Sequence, residues 1–123
     1  MENAPRLRVV FFKADLGKEP VRNWLKRLPK EERRLIGEDI KTVQFGWPIG
    51  MPLVRPLHKK LWEIRTDLAT RISRVFFTTY KHQIVLLHGT IKKDQKIRES
   101  DLALAKKRLA KFKKEEDVKS DET

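Results

Sequence analysis

Glu63 and Arg65 stand two apart on the run LWEIRT, Arg74 interrupts the apolar run RISRVFFTT, and Lys92, Lys93 and Lys96 follow the apolar run IVLLHGTI. Arginine keeps its charge at any working pH and can grip two oxygens of an anion at once. Clustered lysines depress one another's pKa, so that one of them can give or take a proton. Such a set suits holding a phosphate and moving protons beside it, with Glu63 and His58 as the groups available as a base. Each residue also has an ordinary alternative. Glu63 and Arg65 flank Ile64 and could be solvated strand residues, and the Lys92/Lys93 pair could be a solvated strand end. Arg74, between Ile72 and Phe76, is either the partner of a buried carboxylate such as Glu63 or is aimed at an anion, and the second reading is favoured. His88, in the most apolar run, reads as a hydrogen-bonded core histidine.

These residues need a scaffold, and hydrophobic periodicity supplies one. Leu61–Thr66 alternates as a half-buried strand does, Arg71–Thr79 is rich in β-branched and aromatic residues, and Ile84–Ile91 is apolar on both faces. The short gaps between them predict an antiparallel meander. Leu7–Phe12 predicts a first strand. Lys18–Leu28 carries Val21, Trp24, Leu25 and Leu28 at helical spacing, and a second helix runs from Pro29 to Gly46 with Leu35, Ile36, Ile40 and Val43 on one face. Residues 47–60 hold three prolines and predict an extended loop, delivering Arg55, His58, Lys59 and Lys60 to one end of the sheet. Ser100 is placed to cap a last helix with Leu102, Ala105, Leu109 and Phe112 on its inner face. The expected fold is therefore α+β, in the order β-α-α-β-β-β-α: a curved, mostly antiparallel sheet with helices packed on one face and the other face left for a ligand.

Charge narrows the partners. The 123 residues hold 29 Lys+Arg against 17 Asp+Glu, a net charge of +12. The last nine, EEDVKSDET, contribute five acids and one lysine, leaving residues 1–114 at +16. Residues 1–114 form the expected domain, and 115–123 are expected to be an acidic disordered tail able to fold back on the basic face. A polycation of this size suits nucleic acid or a ribosome. With no cysteine and three scattered histidines, neither a thiolate nucleophile nor a metal site is expected, nor any cofactor. No apolar run approaches the ~20 residues of a membrane span, and the N-terminus lacks a signal-peptide core, so the expected location is the cytoplasm, away from membranes.

From Leu7 to about Lys113 the chain resembles the RelE/ParE superfamily of toxin–antitoxin toxins, in its HigB-like, phage-derived branch. The likeness is carried by the stretch from Arg55-Pro56-Leu57 to Leu61-Trp62-Glu63-Ile64-Arg65, by RISRVFF, by LLHGTIKK from Leu86 to Lys93, and by Ala105-Lys106-Lys107-Arg108. The resemblance implies the fold read above and a ribosome-dependent endonuclease that cuts mRNA through its own 2′-OH. It also implies a helix-turn-helix antitoxin as partner, with operator DNA engaged only through that antitoxin. Some superfamily members act instead on DNA gyrase, and non-catalytic nucleic-acid binding is a further alternative. Arg65 and Arg74 are similar to phosphate-contacting positions of these nucleases, and Lys92, Lys93 and Lys96 fall where they carry basic or aromatic groups. Related toxins often end the last strand with a His or Tyr acid/base, where this chain has Gly89-Thr90-Ile91-Lys92-Lys93. On this reading Arg65, Arg74, Lys93, Lys92 and Glu63 are catalytic, and Arg55, His58, Lys59, Lys60 and Lys96 hold RNA or ribosome.

Overall fold

In the computed structural model, which describes residues 4–92 and 96–121, the chain is a mixed α+β domain built on an open five-stranded sheet. The strands are β1 (Arg8–Phe11), β2 (Val54–His58), β3 (Leu61–Asp67), β4 (Ile72–Tyr80) and β5 (Gln83–Lys92). They lie in the order β1-β5-β4-β3-β2, with β1 parallel to β5 and the other pairs antiparallel. The helices are α1 (Pro20–Lys26), α2 (Lys30–Gly46) and α3 (Glu99–Asp121). No helix among the described residues is long and apolar enough to cross a membrane.

The meander was expected within a residue or two of where it forms, because the alternation of β3, the β-branched and aromatic content of β4 and the continuous apolar run of β5 are strong local signals. The loop expected over residues 47–60 instead contains β2, which pairs Val54 with Ile64 and Arg55 with Glu63. Pro56 sits in this strand opposite Trp62, and β2 is an edge strand, where a missing N–H leaves no ladder partner unsatisfied.

The helices do not share one face, which corrects that expectation. The sides of the sheet hold separate apolar clusters. On one, Val21 of α1 and Ile36, Ile40 and Val43 of α2 pack on Ile64, Val75, Phe77, Ile84 and Leu86. The α2 residues fall at i, i+4 and i+7, one stripe of the helix. On the other, Ala105, Leu109 and Phe112 of α3 cover Phe12, Leu61, Phe76, Val85 and Leu87. The physical reason lies in β5: Val85 and Leu87 are as fully buried as Ile84 and Leu86, so both faces need a cover. The segment expected to be a disordered tail is likewise helical as far as Asp121, as the continuation of α3. Ser100 lies inside the first turn and does not cap it: the amide of Leu102 bonds the carbonyl of Arg98, one residue before the helix begins.

Candidate functional site

The charged residues of the meander converge on the face that α3 covers. Leu61 belongs to the α3 cluster, so alternation along β3 turns Glu63 and Arg65 to the same side. Antiparallel pairing then sets Arg65 directly opposite Arg74, and Arg55 of β2 directly opposite Glu63. Two guanidiniums facing each other across a ladder repel unless a carboxylate intervenes. Glu63 is the carboxylate that draws Arg74 away. Arg74 Nη1 donates to Glu63 Oε1 and Oε2 at 3.1 and 3.0 Å, and Arg55 Nε lies 3.0 Å from Oε2. The side chains of Glu63 and Arg74 are each 1% exposed, whereas Arg55 is 40% and Arg65 31% exposed. Of the two readings of Arg74, the geometry realises the buried pair with Glu63. Arg65 Nε stands 3.5 Å from Asp67 Oδ1 at the end of β3. The result is a sealed pair at the floor and two arginines reaching the surface.

A second charged group closes the start of α3. Lys92 is buried and ion-paired with Asp101 Oδ2, and His88 Nε2 lies 2.9 Å from Asp101 Oδ1. The His88 ring also packs on Phe76, 5.5 Å between centroids. Burial pushes the His88 pKa down, outweighing the pull of Asp101 in the other direction. Burial of Asp101 would raise its pKa, but the hydrogen bonds from Lys92 and His88 win and hold it below the ordinary carboxylate value. Farther along the same helix, Arg108 donates to the Leu87 carbonyl at 2.8 Å, and burial lowers its pKa. Lys92 and His88 are thus anchors of α3. Asp101 and Arg108 were not singled out from the sequence. An acid in the first turn of a helix reads as an ordinary partner of the helix dipole, and nothing local says that a strand lysine and histidine will meet it.

The remaining expected site residues separate. His58, Lys59 and Lys60 are exposed at the β2–β3 turn, next to Leu61. Arg65 is four residues farther along β3, about 13 Å at the rise of an extended strand. Lys96 is exposed after β5, and Lys93 lies outside the described residues. Among the described residues, no group of three or more His, Cys, Asp or Glu could hold a metal ion.

A family model described as phage derived protein Gp49-like (DUF891) matches residues 23–110. The chain belongs to this Gp49-like family. The matched range contains β2 through β5, the start of α3, and with them Arg55, Glu63, Arg65, Arg74, Lys92, Asp101 and Arg108. Comparison with curated proteins and with solved structures gave no match. Membership of this phage-derived family is compatible with a toxin of a toxin–antitoxin system.

Proposed function

We propose that this Gp49-like chain is the toxin of a type II toxin–antitoxin pair: an endoribonuclease of RelE/HigB type that cuts mRNA on the ribosome and is silenced by a helix-turn-helix antitoxin. The observation that carries the reading is the arginine cluster. Glu63 is sealed between Arg74 and Arg55 and so holds Arg55 at the surface, and Arg65, beside Asp67, reaches the same surface of a domain with a large positive charge. In the proposed mechanism these two touch the scissile phosphate and stabilise its transition-state charge. Glu63 and Arg74 act through them as positioning residues. The ribosome supplies the in-line geometry of the RNA, while Lys93 and Lys96 carry protons and His58, Lys59 and Lys60 meet RNA farther along. No metal enters this scheme.

The test is a short pulse of expression followed by mapping of mRNA 5′ ends. Wild type should cut translated messages. Arg65→Ala should lose cutting by at least ~10²-fold, the effect of removing one transition-state donor, while its unfolding free energy stays within about 1 kcal/mol, since the side chain is partly exposed. Arg55→Ala should lose less. Growth arrest with uncut messages would overturn the nuclease. A second reading, RNA binding without cleavage, is favoured by one observation: Glu63, Arg74 and Lys92, three groups able to take part in phosphoryl chemistry, are each at most 5% exposed. It predicts salt-sensitive RNA affinity and no new 5′ ends.

A further inference from the structure

The end of the sheet where β2 turns into β3 and β4 turns into β5 lies away from the arginine cluster. Both turns are tight, His58 to Leu61 and Tyr80 to Gln83, and each holds a lysine with left-handed backbone, Lys60 at φ 58° and Lys81 at φ 55°. Glycine or asparagine is the usual occupant of that conformation, because a Cβ is strained there. Lysine gives up that ease and adds a charge. Beside the turns, a groove of about 320 Å³ runs between α3 and the end of β4. Its floor is apolar: Leu109, Phe112 and the ring of Tyr80, with Phe112 and Tyr80 edge to face at 5.4 Å. Lys60 enters the lining from the turn and Lys113 from the helix. Thr78 and Thr79 complete the strand side, and Asp117, one turn beyond Lys113, is the one acid of the lining. Lys59, Lys60, Lys81 and Lys113 are all exposed, and none forms an ion pair among the described residues.

The groove selects its occupant. The lysines call for an anion, and the floor for an apolar group. A nucleobase fits the floor poorly: Phe112 meets the Tyr80 ring and the Lys81 ammonium stands 5.3 Å from its centroid, leaving a base little ring to stack on. The Thr78 hydroxyl, which could have read a base edge, is already donated to the Lys60 carbonyl at 2.7 Å. An aliphatic side chain needs neither a ring face nor a hydrogen-bond partner. We infer that this groove docks an acidic segment of a partner protein, seating one bulky aliphatic side chain on Leu109, Phe112 and Tyr80 while its carboxylates meet Lys60 and Lys113. The inference rests on the toxin reading above in taking that partner to be the antitoxin. Because Lys60 is also assigned to RNA, the docked segment competes with RNA at this end of the sheet.

The experiment titrates the purified full chain with a blocked pentapeptide, one leucine flanked by two glutamates on each side, following backbone amides by NMR. The amides of Thr79, Leu109, Phe112 and Lys113 should move. A peptide with alanine in place of the leucine should bind at least about tenfold more weakly, the worth of one buried leucine. One with glutamines in place of the glutamates should also bind more weakly, by about threefold or more. Lys60→Gly keeps the left-handed turn and removes the charge, so it should weaken the acidic peptide by up to about fivefold without lowering the thermal midpoint. Asp117→Asn should tighten it. Silent groove amides, or equal binding of the glutamate and glutamine peptides, would overturn the docking site. So would an oligouridylate that moves these amides where the acidic peptide moves none, since the groove would then belong to RNA. Mapped mRNA ends keep the two ideas apart. Peptide docking with no cuts upholds the groove and overturns the nuclease, whereas cuts with silent groove amides overturn the groove alone.

Discussion

The two faces of the sheet are covered by helices in different ways. Under α1 and α2 the contact is apolar and aromatic: Trp62 stacks on Phe77 and Trp47 meets both edge-on, with centroids 5.0–5.7 Å apart, beside Val21, Ile36, Ile40 and Val43. Under α3 only half of the face is of this kind. Phe12, Leu61, Phe76, Val85 and Leu87 meet Ala105, Leu109 and Phe112, and beyond them come Glu63, Arg74, Lys92, His88 and Asp101. Burying paired charge stabilises less than apolar packing of the same volume, because desolvation offsets most of the attraction. The first face is therefore a core. The second is half a core and half a mounting for Arg55 and Arg65, and its charges make sense as positioning groups.

That contrast is most easily broken at Glu63 and Arg74. Removing one partner leaves a buried charge uncompensated, so Glu63→Ala or Arg74→Ala should cost about 3–5 kcal/mol in urea unfolding. The double variant Glu63→Leu/Arg74→Met should recover most of that stability and yet cut mRNA poorly, since Arg55 loses its anchor. A stable single variant would show that the pair is not sealed. The other face answers to volume. Gly89, opposite Val75, lies under the Trp24 ring, and a Cβ there would come within 2.3 Å of Trp24 Cε3. Gly89→Ala should therefore destabilise by about 1–3 kcal/mol through overpacking, and adding Trp24→Leu should return part of the loss. Failure of that rescue would place the strain elsewhere than in the ring.

What could be read from the sequence follows the same division. Periodicity is local, so β3, β4, β5 and the inner stripes of α2 and α3 were legible. β2 was not: Val54 is its one β-branched residue, Pro56 argues against a strand, and its register comes from pairing with β3. The acidic end of α3 has Val118 as its one large apolar residue and read as disordered, yet extending a helix already nucleated on Ala105, Leu109 and Phe112 adds one hydrogen bond per residue fixed. For the site, the types and the strand were visible and the exposure was not. Arg74 and Glu63 were recognisable as one acid and one base on neighbouring strands. Whether they faced solvent depended on where α3 lands, which is tertiary information. Asp101 was hidden for the same reason.

The smallest expected effect is a pH dependence of the charged half of the α3 face. His88 faces Asp101, Lys92 and Arg108, and its folded pKa lies below the ordinary 6.5 of an imidazole because burial penalises the cation. Below pH 6.5 the unfolded chain therefore holds more protons at this site than the folded one, and stability falls as pH falls toward the folded pKa. Asp101, held below its ordinary 3.8, adds a second loss in the same direction at lower pH, its contribution being complete above about 3.8. Urea midpoints measured from pH 7.5 down to pH 3 should decline in two stages. His88→Gln should flatten the upper stage, whereas Asp101→Asn should flatten part of the lower one, which it shares with Glu31 and Glu32, and deepen the upper, because it removes the carboxylate that favours the His88 cation. The aromatic cluster of the opposite face has no group that titrates in this range, so Trp62→Phe should lower every midpoint by a constant amount. If His88→Gln left the upper stage intact, the imidazole would be protonated as readily in the folded chain as in water, and α3 could not be lying over it.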